Sequence, residues 1–238
     1  MALDPRLHVA TQTVRGAAAI DEGLRAYMLR VYNYMSAGLA VTGIVAYLTS
    51  QSPQLMATVY GTPLAWVVML APLGLVIFMS FRINNMRAAT AQATFWAFSG
   101  LMGLSLAYIF VVYTGASITR VFFITTAMFA GMSLYGYTTK RDLSGIGSFL
   151  IMGLIGLIVA SIVNLFLQSS ALHWALSVIG VLIFVGLTAY DTQKIRQMYY
   201  EADGAEIATK KSIMGALTLY LDFINLFLFM LRLFGNRD

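Results

Sequence analysis

The chain contains no cysteine. That excludes disulfides, thiolate catalysis and cysteine-ligated metal sites, and says little about compartment. Histidine is almost as scarce. Only His8 and His173 are present, one in the N-terminal tail and one at a loop edge, whereas an intramembrane metallohydrolase requires a cluster of His and Asp ligands. Charge is scarce too: 11% of residues are charged and 59% hydrophobic, where a soluble domain carries about 25% charged residues. With a mean hydropathy of +0.77, this composition marks an integral membrane protein, and its spans leave no room for a separate soluble domain. The first thirty residues have no apolar h-region ahead of a cleavage site, so no cleaved signal peptide is expected. No lysine falls within an apolar run, which removes the Schiff-base lysine of a retinal protein. No internal repeat is evident, which counts against a coupled transporter. The expectation is a protein that is not an enzyme and carries no cofactor.

Seven apolar runs are present: Val31–Leu48, Leu64–Phe81, Phe95–Tyr113, Val121–Tyr137, Ile146–Leu167, Trp174–Tyr190 and Ile213–Phe234. A hydrocarbon core about 30 Å thick needs about 20 helical residues, with 17 to 25 tolerated, so each run suffices. The runs are continuously apolar rather than alternating, which selects helices over a barrel. Pro72 and the glycines within them are tolerated in membrane helices. The expected fold class is therefore all-α, a polytopic membrane protein of seven transmembrane helices. Residues 1–30 form an N-terminal segment, 31–235 the helical domain and 236–238 a tail. The sixth helix is expected to run past Asp191 towards Tyr200, because DTQKIRQMYY holds no breaker, before Asp203-Gly204 turns the chain.

Lysine and arginine set the expected orientation. With the N-terminus in the cytoplasm, the inner segments hold Arg6, Arg15, Arg25, Arg30, Arg82, Arg87, Lys140, Arg141, Lys194, Arg196, Lys210 and Lys211, and the outer ones Arg120, Arg232 and Arg237. That asymmetry favours an inside N-terminus. Were the last segment to re-enter instead of crossing, Arg232 and Arg237 would join the inner set; its apolar length favours a full span. The net charge of +5 is scattered over loops, the pattern of lipid-headgroup and topology signals rather than of a nucleic-acid partner.

Against this background two aspartates stand out. Asp191 ends the sixth run, and Asp222 sits inside the seventh, roughly 13 Å beyond Ile213 and near the midplane; Asp191 is expected nearer the inner face. Ionisable groups within spans are costly and mark partners, cavities or transport routes. The two helices share one short inner connection and are antiparallel neighbours by default, so the carboxyls can meet. Two carboxylates in a poorly hydrated site tend to share one proton, which makes a latch; fully ionised, they repel each other and attract a cation such as calcium, which takes carboxylate oxygens. The bland reading is that each separately satisfies a buried donor. Arg82, ending the second run on the same side, is a third candidate, against its reading as a snorkelling anchor. Asn225, one turn from Asp222, and Asn164, in the fifth run, are supporting polar candidates or interhelical glue. Gly100, Gly103, Gly153 and Gly156 are expected to let helices approach closely. Tyr190, Tyr199 and Tyr200 read as an interfacial belt.

At GYTTKRDLS (136–144), LTAYDTQKI (187–195) and LYLDFINLFLFMLRLFG (219–235) the chain resembles the Bax inhibitor family, the transmembrane Bax-inhibitor-motif proteins, and in its loop lengths their bacterial branch. The resemblance spans nearly the whole chain. It implies seven helices with the last central and wrapped by the other six, and a pH-sensitive calcium leak across the bacterial inner membrane. It further implies that Asp191 and Asp222 form the proton-sensing pair, with Arg82 beside it and calcium as transported ion or transient occupant. Some bacterial members are instead regulators of a membrane-embedded AAA protease, which is the alternative reading; the carboxylate pair would then be structural. Short tails leave few places for a docking motif. The direction of the pH effect stays open: ionising the pair opens a gate, or holds calcium and blocks it.

Overall fold

The computed structural model describes residues 5–236, with side chains from residue 21 onward. The readings placed on the side chains of Arg6, His8 and Arg15, and on Arg237, therefore lie outside the described residues. Within them the chain is helical: α1 (Pro5–Ser50), α2 (Pro53–Tyr60), α3 (Leu64–Arg82), α4 (Ala88–Leu106), α5 (Ile109–Val112), α6 (Gly115–Thr138), α7 (Ser144–Leu167), α8 (Ser170–Gln197) and α9 (Ala205–Phe234). Seven spans are long and apolar enough to cross a membrane: Asp21–Ser50 of α1, α3, α4 with α5, and α6 to α9. They follow the seven apolar runs in order. Most reach beyond the runs at one or both ends because helical hydrogen bonding continues into the polar flanks; α8 carries Asp191 inside its last two turns and stops at Gln197. Pro72 sits within an unbroken α3.

The third span is interrupted at Ala107-Tyr108, and the interruption has a visible patch. The Tyr60 hydroxyl, at the end of α2, donates to the carbonyl of Leu104 at 2.6 Å and lies 3.2 Å from that of Ser105, while the Tyr108 amide donates to it at 3.2 Å. Backbone groups freed by a helix break in an apolar medium need such partners.

At the centre is α9. Fourteen of its residues between Ser212 and Leu231 are buried, and the half-buried remainder, Met214, Thr218, Leu221, Asn225, Leu228 and Phe229, falls on a single stripe of the helix. It packs on α8, α1, α6 and α4, and touches α3. The seventh span is thus central, but the other six do not all wrap it: α7 has its packing partner in α8 and buries only Gly147 and Leu157. A bilayer solvates apolar side chains as well as a protein core does, so an apolar helix is free to stand at the edge. Gly103 and Gly153 do sit in close helix contacts, against Thr42 and Ile183, whereas Gly100 and Gly156 face open space.

Candidate functional site

The register of α8 against α9 builds the site. The helices run antiparallel, with Ile195 meeting Gly215 near one end and Phe184 stacked on Phe229 at 5.9 Å near the other. Between these anchors Asp191 falls opposite Asp222, and the two carboxyl groups come within hydrogen-bonding reach. Asp191 stands about 9 Å from the end of α8 and Asp222 about 26 Å from the start of α9. They meet because α9 projects past α8 on that side by several turns of polar helix. Contact places both carboxyls at one level of the bundle, although Asp191 sits in the last two turns of its own helix and Asp222 lies well inside α9.

The surroundings leave the pair to itself. Asp222 is 4% exposed, and no donor reaches its Oδ2 among the described residues. Asp191 is half-buried. Lys194, one turn further along α8, is the cation whose charge acts on it, but no ion pair forms, and the ammonium lies 5.9 Å from the centre of the Tyr190 ring. The one ion pair among the described residues, Lys211–Asp203, ties the start of α9 to the preceding loop.

Arg82 is not at the site. It is exposed at the end of α3 and forms no ion pair with either aspartate. The helix that carries it only touches α9, so a shared end of the bundle does not become a shared contact. Asn225 is half-buried and donates to the Leu221 carbonyl of its own helix at 2.8 Å, one turn from Asp222 without bonding to it. Asn164 lies at the far end of the bundle, where its side-chain oxygen accepts from the Ser169 amide at 3.1 Å and closes the α7–α8 turn. Among the described residues no three His, Cys, Asp or Glu side chains cluster as metal ligands. Two carboxyls supply only part of the six to eight oxygens calcium takes.

Several residues that sequence reasoning passed over brace the pair. Thr192, next to Asp191 and fully buried, bonds Ser133 of α6 at 2.9 Å, and Ser133 bonds Tyr32 of α1 at 2.6 Å. This hydroxyl chain links three helices beside the pair. Gln193 accepts from the Leu143 amide at 2.9 Å and donates to the Arg141 carbonyl at 2.8 Å, pinning the α6–α7 connection to α8. Gly136 of α6 lies so close to the α8 backbone that a Cβ would collide with the Ala189 carbonyl. On the other side of α9, Thr42 donates to the Gly38 and Ser99 carbonyls at 3.0 and 2.8 Å; the Tyr220 hydroxyl, 2.7 Å away, is left as donor to Thr42. The available signal was that buried Ser, Thr and Tyr hydroxyls in spans serve as interhelical glue.

The family model described as inhibitor of apoptosis-promoting Bax1 matches residues 24–238. The chain belongs to the Bax inhibitor family. Several bacterial proteins are similar to it. A protein of Rickettsia prowazekii is 52% identical over 217 residues, covering 91% of this chain and 92% of the relative. The inner membrane protein YbhL of Escherichia coli is 50% identical over 218 residues, covering 90% and 93%. A protein of Caulobacter vibrioides is 49% identical over 236 residues, covering 94% of each. The match takes in all seven spans, with both aspartates inside it, so this Bax inhibitor family member is an integral membrane protein over its whole helical domain.

Proposed function

We propose that this Bax inhibitor family protein is a proton-regulated cation leak, with calcium as its transported ion, in a bacterial inner membrane with the N-terminus in the cytoplasm. It acts without catalysis and without a resident cofactor. The observation that supports the reading is the contact of Asp191 with Asp222 in the packed middle of the bundle. Two carboxyl oxygens bond only when one carries a proton, and among the described residues no donor reaches Asp222 Oδ2 instead. With one proton shared, the bond holds α8 on the central helix. With none, two like charges face each other where water screens them poorly, and α8 is pushed from α9. The opened seam offers carboxylate oxygens, which suit calcium. The asymmetry of basic residues between the two ends, and the name of the YbhL relative, support the membrane and the orientation.

The test is calcium entry into proteoliposomes of the full-length protein, scanned from mildly acidic to alkaline pH. Flux should rise with pH in the wild type. In Asp191→Asn and Asp222→Asn an amide donates to the remaining carboxylate without needing a proton, so flux should be flattened. No flux above empty liposomes at any pH overturns the leak and leaves the protease-regulator reading. Unchanged pH dependence in both variants overturns the latch.

A further inference from the structure

Helices α1 and α6 both lean on α9 and are tied to each other by the Tyr32–Ser133 bond. Between them runs a groove of about 950 Å³, floored by Phe223 of α9. That is the upper end of the roughly 300–1,000 Å³ typical of small-molecule sites. Along α1 it extends from Arg25 to Ile44, about 28 Å, which is close to the thickness of a hydrocarbon core. A second cavity of about 350 Å³ shares Leu39, Gly43, Phe122 and Phe223 with it and continues the groove towards Tyr47.

The lining is mostly apolar, with the hydroxyls of Tyr32, Ser36, Thr126 and Ser133 among it, and is charged at one end only. Leu39, Phe122 and Phe129 line the middle, while Arg25 stands at one mouth. Arg25 is exposed and forms no ion pair among the described residues, although Asp21 and Glu22 lie a turn earlier on the same helix. Arg25 is the one charged residue of the lining; Arg196, outside it, holds the groove residue Tyr137 in place. Tyr137 lines the groove, and Arg196 donates to its carbonyl at 2.7 Å with the guanidinium 5.6 Å from the ring centre. A largely apolar channel with a cation at one mouth has the polarity of an amphiphile bearing a negative head. A partner helix would bring apolar surface to both ends and make no use of one-ended charge. Basic pockets between membrane helices are suited to anionic headgroups.

We propose that this groove is a binding site for a glycerophospholipid with an anionic headgroup, one acyl chain lying between α1 and α6 and the phosphate at Arg25. The site is separate from the aspartate pair and does not depend on the leak. It adjoins the pair nonetheless: Phe223 follows Asp222, and Ser133 of the hydroxyl chain lines the groove. A bound acyl chain would therefore fill the space beside the brace that holds α6 to α8.

Native mass spectrometry of the detergent-purified full-length protein tests this, with phosphatidylglycerol and phosphatidylcholine of matched chains as probes. Retention should favour phosphatidylglycerol by about fivefold, the scale of one basic side chain at a membrane surface. Arg25→Gln should bring the two lipids level. Gly43→Leu places a side chain into open space in the groove, since a Cβ there meets nothing within 4 Å, and should abolish retention of both lipids while thermal unfolding stays as in the wild type. Equal retention in the wild type and Gly43→Leu overturns the site, as does a phosphatidylglycerol preference that survives Arg25→Gln. A chain dimer lost in Gly43→Leu would show that a second copy occupies the groove, and also overturns it.

Discussion

Asp222 and Ser133 show how differently a polar side chain in a span can be used. Asp222 faces another acid and has no donor at its Oδ2, so its bonding depends on a proton from outside. Ser133 sits between Tyr32 and Thr192 with both distances short, so its bonding is independent of pH. Ser133→Ala should therefore destabilise the protein by roughly 1 kcal/mol, the scale of interhelical hydrogen bonds in membranes. Tyr32→Phe added to Ser133→Ala should cost less than the sum of the two single changes, because the bond is already lost. Thermal unfolding in detergent measures all three, and strict additivity would refute a shared hydroxyl chain. The aspartates were legible from sequence because a carboxyl in an apolar run is rare. The hydroxyls were not, since a serine in a span reads alike whether it bonds its own helix or a neighbour. Arg82 went astray for a related reason: topology fixes which end of the bundle a residue occupies, not which helices meet there.

Two elements hold together through side chains that lie outside the spans. The broken third span relies on Tyr60, whose hydroxyl serves Leu104, Ser105 and Tyr108 at once. Tyr60→Phe leaves those backbone groups short of a partner and should cost about 1–3 kcal/mol. Amide exchange across residues 107–113 should speed up, with the remaining helices unaffected; unchanged exchange there would refute the patch. The start of α7 relies on Asp142, whose Oδ1 accepts from the Ser144 amide at 2.9 Å. Hydrogen bonds from Ser144, side chain and backbone, hold this carboxyl below the ordinary aspartate value of 3.8. A folded-state value below the unfolded one stabilises the ionised form. Its contribution is full above the ordinary value and is lost as pH falls through the depressed one. Amide protection in the first turn of α7 should thus fall in the wild type as pH drops below the ordinary aspartate value. In Asp142→Ala it should be low and flat. A wild-type decline that persists in the variant would assign the effect to another group.

At the scale of the molecule, hydropathy and burial part company. The most apolar span is α7, yet it buries two residues, while the less apolar α9 buries fourteen. Phe149 and Phe166 of α7 are 73% and 84% exposed, and the protein offers them no cover. A nonpolar photoreactive probe dissolved in the bilayer should label α7 heavily and leave residues 213–231 of α9 nearly unmarked, read by peptide mass mapping. Comparable labelling of the two would refute the central position of α9. The same arrangement places Asp222 on the one helix that most others share, so a change there is felt by α8, α1, α6 and α4 together.

Composition and run length by themselves determined that the chain is a seven-span helical membrane protein, because crossing a bilayer demands about 20 apolar residues and satisfies the backbone within each helix. Residue chemistry likewise marked Asp191 and Asp222, and three motifs marked the family. Only the tertiary structure decided which helix is central, that α7 stands outside, that the two carboxyls meet at one level of the bundle, and that Arg82 stays away. Lipid and protein core are equally apolar, so hydropathy carries no record of which face meets which. That record lies in register and close approach, in Gly215 against Ile195 and Gly136 against Ala189, which exist only once the helices are packed.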